Sequence, residues 1–173
     1  MDVILAAGWM LRPFFFVFST IYDRQYDIGM IDLDAGHTVT GGHLAYIQYL
    51  YENWKLPDFD PTSVYQFNHP PLHHYLCALW MKLCSLFISN TDVLEESIQV
   101  VPFVCSLLIL WFLLRIAEQF EMTEKAKRFV MLLFCFHPAL VLLSGSVNND
   151  CMSLMFTVMC VYYTILWSRF PTA

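Results

Sequence analysis

Four stretches of 18 to 20 residues run through this chain almost without charge: residues 3–22, 98–117, 129–147 and 151–168. A bilayer core about 30 Å thick is crossed by about 20 apolar residues at helical rise. Blocks of that length leave few folds open, and a helical membrane domain comes first. Arg12 is the only formal charge in the first block, and Arg115 lies near the end of the second. The third has no charged residue beyond His137, and the fourth has none. The first block lacks the basic flank and small-residue cleavage site of a secretory signal. Composition agrees: 58% of residues are hydrophobic and 14% charged, against about 45–50% and about 25% in soluble domains. A net charge of −6 without a basic stripe excludes a nucleic-acid partner. Cys77, Cys84, Cys105, Cys135, Cys151 and Cys160 lie in or at the edge of apolar segments without a CxxC pair, as apolar filler does.

A fifth apolar segment, residues 72–89, decides the topology. His74, Lys82 and Ser85 fall on one helical face, a pattern that suits a helix lying in the membrane interface. Charge asymmetry favours that placement. Arg115, Lys125, Lys127 and Arg128 mark a cytoplasmic loop, and Arg169 follows the last block. Residues 23–69 carry seven carboxylates against Arg24 and Lys55, so they read as the outer side. All three signals agree if 72–89 does not span. The expectation is an all-α integral membrane domain over residues 1–173. It has four transmembrane helices, both termini cytoplasmic, and an outer loop, 23–97, with interfacial helices at about 41–54 and 71–89.

The outer loop holds most of the polar chemistry. Leu44, Ile47, Leu50, Tyr51 and Trp54 recur at helical spacing after Gly41-Gly42, and Pro57 is expected to close that helix. His69 precedes Pro70-Pro71, which start the next helix. Helix N-termini attract phosphate, so His69 reads as a phosphate contact or as an ordinary loop histidine. Asp23, Asp32, Asp34, Asp58 and Asp60 read first as solvated surface, while Asp27 precedes a tight Ile28-Gly29 turn. Asp150 sits with Asn148 and Asn149 between two apolar blocks, where a carboxylate either caps the next helix or faces a wet cavity. Arg12, costly at membrane depth, snorkels or pairs inside a bundle.

Four stretches carry a resemblance: Arg24-Gln25-Tyr26-Asp27-Ile28-Gly29; Gly42-His43-Leu44-Ala45-Tyr46-Ile47-Gln48-Tyr49-Leu50 with Leu56-Pro57-Asp58; Phe67-Asn68-His69-Pro70-Pro71-Leu72; and His137-Pro138 with Leu143-Ser144-Gly145-Ser146-Val147-Asn148-Asn149-Asp150. In that order they resemble the GT-C superfamily of membrane glycosyltransferases, which use polyprenyl-phosphate-linked sugars. The nearest kin are protein-mannosyltransferase-like and aminoarabinose-transferase-like enzymes. The resemblance implies a first outer loop with the catalytic carboxylate and a second outer loop adding an Asp.

On that resemblance Asp27 is the catalytic base, with Asp34 its alternative, and Asp150 joins the catalytic set. Arg24, His43, Asn68, His69 and Asn149 are the substrate-binding set. Relatives carry an Asp-Glu pair shortly before the histidine where this chain has Val39-Thr40-Gly41-Gly42. Asn68 stands where some members have a metal-binding Glu, so no metal ligand is assigned; a divalent ion held by Asp150 is the one cofactor that remains open. The implied reaction is inverting transfer to an acceptor hydroxyl on the extracytoplasmic side of the cell membrane. The implied partners are a polyprenyl-phosphate-linked sugar, membrane lipid and an acceptor protein or glycan. The rival expectation is a non-enzymatic four-helix adaptor or sensor. Family enzymes have further helices, so the chain is expected to be an N-terminal portion, inactive alone.

Overall fold

The computed structural model describes residues 2–24, 28–32 and 38–170, with backbone alone at residues 2, 23, 24, 30–32 and 38–40. In chain order the elements are α1 (Asp2–Val17), α2 (Ile21–Arg24), β1 (Met30–Asp32), β2 (Thr38–Thr40), α3 (Gly42–Asn53), α4 (Leu72–Cys84), α5 (Thr91–Glu96), α6 (Val100–Glu118), α7 (Glu124–Phe136), α8 (Pro138–Leu143) and α9 (Asp150–Arg169). Short 3-10 turns lie at Pro61–Ser63 and Ser97–Gln99. The strands pair antiparallel, Met30 opposite Thr40 and Asp32 opposite Thr38. That small ladder is the one departure from an all-helical chain among the described residues.

Two helices are long and apolar enough to cross a membrane: the continuous run Thr91–Glu118 and α9. The first extends upstream of the expected block because α5 and the Ser97–Gln99 turn run straight into α6. At 28 residues it is about 42 Å long. The other two expected spans are not continuous helices. The block 3–22 stops being helical after Val17 and resumes only in the four residues of α2. The block 129–147 is broken at His137, whose φ of −63° and ψ of 121° are extended. The cause is Pro138, whose ring pushes the preceding residue out of the helical region.

The described residues form two compact units. One comprises residues 1–18, 103–145 and 150–173; the other comprises 19–102 and 146–149. In the first, α1 packs on α7 and α8. Leu5, Leu110, Met131 and Cys135 form a core there. A Cβ on Gly8 would lie 2.6 Å from the Cys135 Cβ, so glycine is what allows this approach. Arg12 is buried and donates through Nη1 to the carbonyls of Gly8 (2.6 Å) and Cys135 (3.2 Å). The break before Pro138 ends the hydrogen-bond ladder of α7, and the exposed carbonyls carry the negative end of its dipole. Arg12 therefore pairs through Nη1 with a helix end, while its buried Nε has no hydrogen-bond partner among the described residues. On the outside of this unit Phe14, Val17, Phe18, Phe129, Leu133, Tyr163 and Trp167 are exposed.

In the second unit α3 packs along α4. Leu44, Ile47 and Leu50, three of the expected apolar positions, are fully buried with Phe67, Cys77, Ala78, Met81, Leu94, Ile98 and Val147. Each large aliphatic buried this way contributes about 1.5–3 kcal/mol. Trp54, expected on the same side, is 52% exposed and ends the helix in a left-handed conformation, its N–H bonded to the Leu50 carbonyl. The helix thus stops three residues before Pro57.

The polar face expected on α4 is corrected by the structure. Lys82 is exposed over the Tyr51 ring, 4.7 Å from its centroid, but His74 is buried. The inward side is His73, His74, Cys77, Ala78 and Met81. The outward side is a leucine stripe, Leu72, Leu76, Leu79, Leu83 and Leu86, continued by Phe87.

Two carboxylates that sequence reasoning passed over tie this unit together. Glu95 is buried and accepts from the Tyr22 hydroxyl and from Gln48 Nε2, both at 2.6 Å. Glu96 accepts from the Ile21 N–H at 3.1 Å and from Gln99 Nε2. The bonds join α2, α3 and α5 into one frame. Burial and the adjacent Glu95 push the Tyr22 phenol above its ordinary range, so it remains a donor.

Candidate functional site

The start of α3 is set by glycines. Gly41 and Gly42 have φ of 70° and 84°, in the left-handed region that side chains disfavour. A Cβ on Gly42 would lie 2.3 Å from the Ile28 carbonyl oxygen. The Gly42 N–H bonds the Tyr65 carbonyl at 2.8 Å, and the Leu44 N–H bonds that of Ile28 at 3.0 Å. His43, between them, is carried into the interior at 1% exposure.

The segment before α4 is built on Phe67. Its ring lies 4.6 Å from that of Tyr46 at 20°, with Tyr49 and Phe59 edge-on or tilted around it. Gln66, at φ 68°, turns the chain there. Asn68 is left exposed and His69 half-buried. Pro70-Pro71 then start α4, whose first turn no side chain caps. The expected helix start is where Pro-Pro places it.

Four histidines meet at this junction. The His69 ring lies 5.1 Å from that of His43 at 40°. His43 Nδ1 and His74 Nε2 are 2.8 Å apart with the rings within 15° of coplanar, so the two imidazoles bond edge to edge. The Tyr46 ring covers His74 at 4.5 Å. His73 stands nearly perpendicular to His74 at 5.5 Å, with Nε2 3.5 Å from Cys77 Sγ. Burial is the main force on both α4 histidines, and neighbouring imidazoles add to it. Their pKa values fall to about 3 for His73 and about 2 for His74, which keeps both neutral. Nδ1 of His73 has no hydrogen-bond partner among the described residues, and that of His74 has only the Pro70 backbone beside it, outside good hydrogen-bond geometry. The sequence reading passed over His73 and placed His74 only on a polar face, not in the site. The available signal was two adjacent histidines one turn before Cys77 and Ala78, on the same helical side.

The other expected residues divide. Asp27 and Asp34 lie outside the described residues, as does the side chain of Arg24, so the approach of Asp27 to Asp150 does too. Asn149, half-buried, ends the 146–149 segment, which belongs to the same unit as His43, Asn68 and His69. Val147 anchors that segment in the core shared by Leu44 and Phe67. Two motifs almost eighty residues apart in sequence are therefore joined in one unit. Asp150 is exposed and is the first residue of α9, one position inside the cap it was expected to form. Asp60 caps the Pro61–Ser63 turn through Thr62, and Asp58 pairs with Lys55 at 2.7 Å, both solvated roles. Among the described residues no group of three or more His, Cys, Asp or Glu side chains is arranged to hold a metal ion.

The family model described as dolichyl-phosphate-mannose-protein mannosyltransferase matches residues 68–170. That match begins at Asn68, covers His69, His73 and His74, and includes Asn148-Asn149-Asp150. No curated protein and no solved structure matches the chain.

Proposed function

Because the chain belongs to the dolichyl-phosphate-mannose-protein mannosyltransferase family, we propose that it acts in membrane glycosyl transfer from a polyprenyl-phosphate-linked sugar. The acceptor is a hydroxyl on a protein or glycan at the outer face of the membrane, and the transfer is inverting. The observation that carries this reading is the joining of the Asn68-His69 and Ser146–Asn149 segments in one unit, both inside the matched region.

In this reading α4 lies along the outer interface rather than across it. Its leucine stripe, Leu72 to Leu86, turns to the acyl chains, and its histidines turn to the protein. Thr91–Glu118 and α9 span, and α1 and the broken α7–α8 pair complete four passes. The loop with Lys125, Lys127 and Arg128 is cytoplasmic.

The chemistry asks for three things. Asp27 takes the proton of the acceptor hydroxyl as its oxygen attacks the anomeric carbon, with Asp34 the alternative base; a positioned base contributes about 10²–10⁴-fold. The bond from that carbon to the phosphate oxygen breaks, and the lipid phosphate leaves as an anion. Donors must meet that anion: His69 and the uncapped N–H groups at the start of α4. Arg24, Asn68, Asn149 and Asp150 hold the sugar and phosphate around them.

The test is transfer of labelled sugar from synthetic polyprenyl-phosphate donors in native membranes whose own copy of this sequence carries the substitutions, because residues 1–173 alone are expected to be inactive. Asp27→Asn should abolish transfer, and His69→Ala should raise the donor KM at least tenfold with unchanged protein level. Full transfer in both variants would refute the assignment and favour the adaptor reading.

A further inference from the structure

The buried imidazole pair behind His69 has no place in the reaction as written. His43 and His74 come from different helices, 31 residues apart, and meet at 2.8 Å. His74 is fully buried and His43 nearly so, while His69 is the half-buried ring of the three. A buried polar group without a partner costs about 1–3 kcal/mol, so apolar residues here would pack at lower cost. The retained pair does something apolar residues cannot: a hydrogen bond sets the plane of a ring.

We propose that His43 and His74 are positioning residues that fix the ring of His69 toward the donor phosphate, an inference that rests on the phosphate role given to His69 above. The geometry is sequential. Tyr46 covers one side of His74. His74 Nε2 bonds His43 Nδ1 in a common plane, so His43 cannot rotate without breaking that bond. His43 in turn offers its ring to His69 at 5.1 Å. Gly42, which tolerates no Cβ, delivers His43 to that place. The rigid Pro70-Pro71 pair holds His69 and His74 at the two ends of one short segment. His69 is left with one orientation instead of the several rotamers open to a loop histidine. A phosphate contact needs a fixed donor direction, and supporting groups of this kind commonly change affinity about 10–100-fold when removed.

The experiment compares the wild type with His74→Phe and His74→Gln. Phe keeps a ring against Tyr46 but removes the bond; Gln restores a side-chain amide to bond His43. Imidazole 15N spectra of the protein in lipid nanodiscs should show His43 in a single tautomer in the wild type and in both in His74→Phe. The 15N chemical shifts of the His69 ring should move in that variant. In the membrane transfer assay the donor KM should rise about tenfold with kcat within about twofold. His74→Gln should return all three readouts toward wild type. A purely structural role would lower thermal stability in His74→Phe while leaving the His43 tautomer and the His69 ring shifts as they were, and that result would overturn the proposal. Unchanged spectra in His74→Phe overturn the positioning role whatever the assay gives. Shifted spectra with a donor KM that even His69→Ala leaves normal overturn the phosphate role instead.

Discussion

The two units of this chain bury opposite things. The unit of residues 1–18, 103–145 and 150–173 hides a full charge, Arg12, against backbone carbonyls and exposes phenylalanine, leucine and tryptophan. The unit of 19–102 and 146–149 hides neutral imidazoles and a carboxylate in side-chain hydrogen bonds, and gathers most of its exposed leucines on one side of α4. In the proposed reading the difference is one of solvent. Helices surrounded by lipid satisfy every backbone group internally, so a polar side chain among them finds few partners beyond backbone carbonyls. A segment at the interface can build polar networks from several elements, and these set directions as well as stability. In the proposed reading that is the unit where a donor phosphate and an acceptor hydroxyl are oriented.

The comparison breaks most readily at its glycines. Gly42→Ala should cost more than about 4 kcal/mol, because the new Cβ meets backbone and the φ is left-handed. Gly8→Ala meets a cysteine side chain and should cost less, about 1–3 kcal/mol. Thermal unfolding in nanodiscs ranks the two, and an equal loss would show that both interfaces are equally unyielding. Next is Glu95→Ala, which strands the Tyr22 hydroxyl and Gln48; a loss of about 2–4 kcal/mol should be confined to the 19–102 unit in hydrogen exchange. Uniform loss of protection through α9 would mean the two units unfold together.

Acid should separate the units more gently. His73 and His74 have folded pKa values far below the unfolded value of about 6.5, so the unfolded chain binds protons first. Their contribution is intact above that pH and falls by about 1.4 kcal/mol per unit for each histidine as pH drops below it. Unfolding measured at pH 7 and pH 5 should show a loss that His74→Phe reduces; an identical pH slope in that variant would remove His74 from the account. The smallest effect belongs to Lys55→Ala, which breaks an exposed pair and should leave unfolding unchanged.

Much of this was legible in residue order. The amphipathic repeat from Leu44 to Leu50 and the Pro-Pro start before Leu72 predict α3 and α4 to within a few residues, because spacing and proline geometry act locally. The order of short motifs pointed to the membrane glycosyltransferases that the family match supports. The break at His137 was written in the following proline but hidden by an unbroken apolar composition.

Other features had no local cause. His74 could equally face water, as its spacing with Lys82 suggested. It turns inward because α3 brings His43 within 2.8 Å, and a polar side chain faces the interior only where a partner waits. Glu95 and Glu96 look like surface residues until Tyr22, Gln48 and the Ile21 N–H arrive from distant segments. Arg12 looked like a charge in search of a headgroup until the end of α7 was placed beside it. Residue order thus determined α3, the start of α4, the apolar character of α9 and the family. Tertiary structure alone decided which polar groups were buried, because that depends on partners that the chain brings together only by folding.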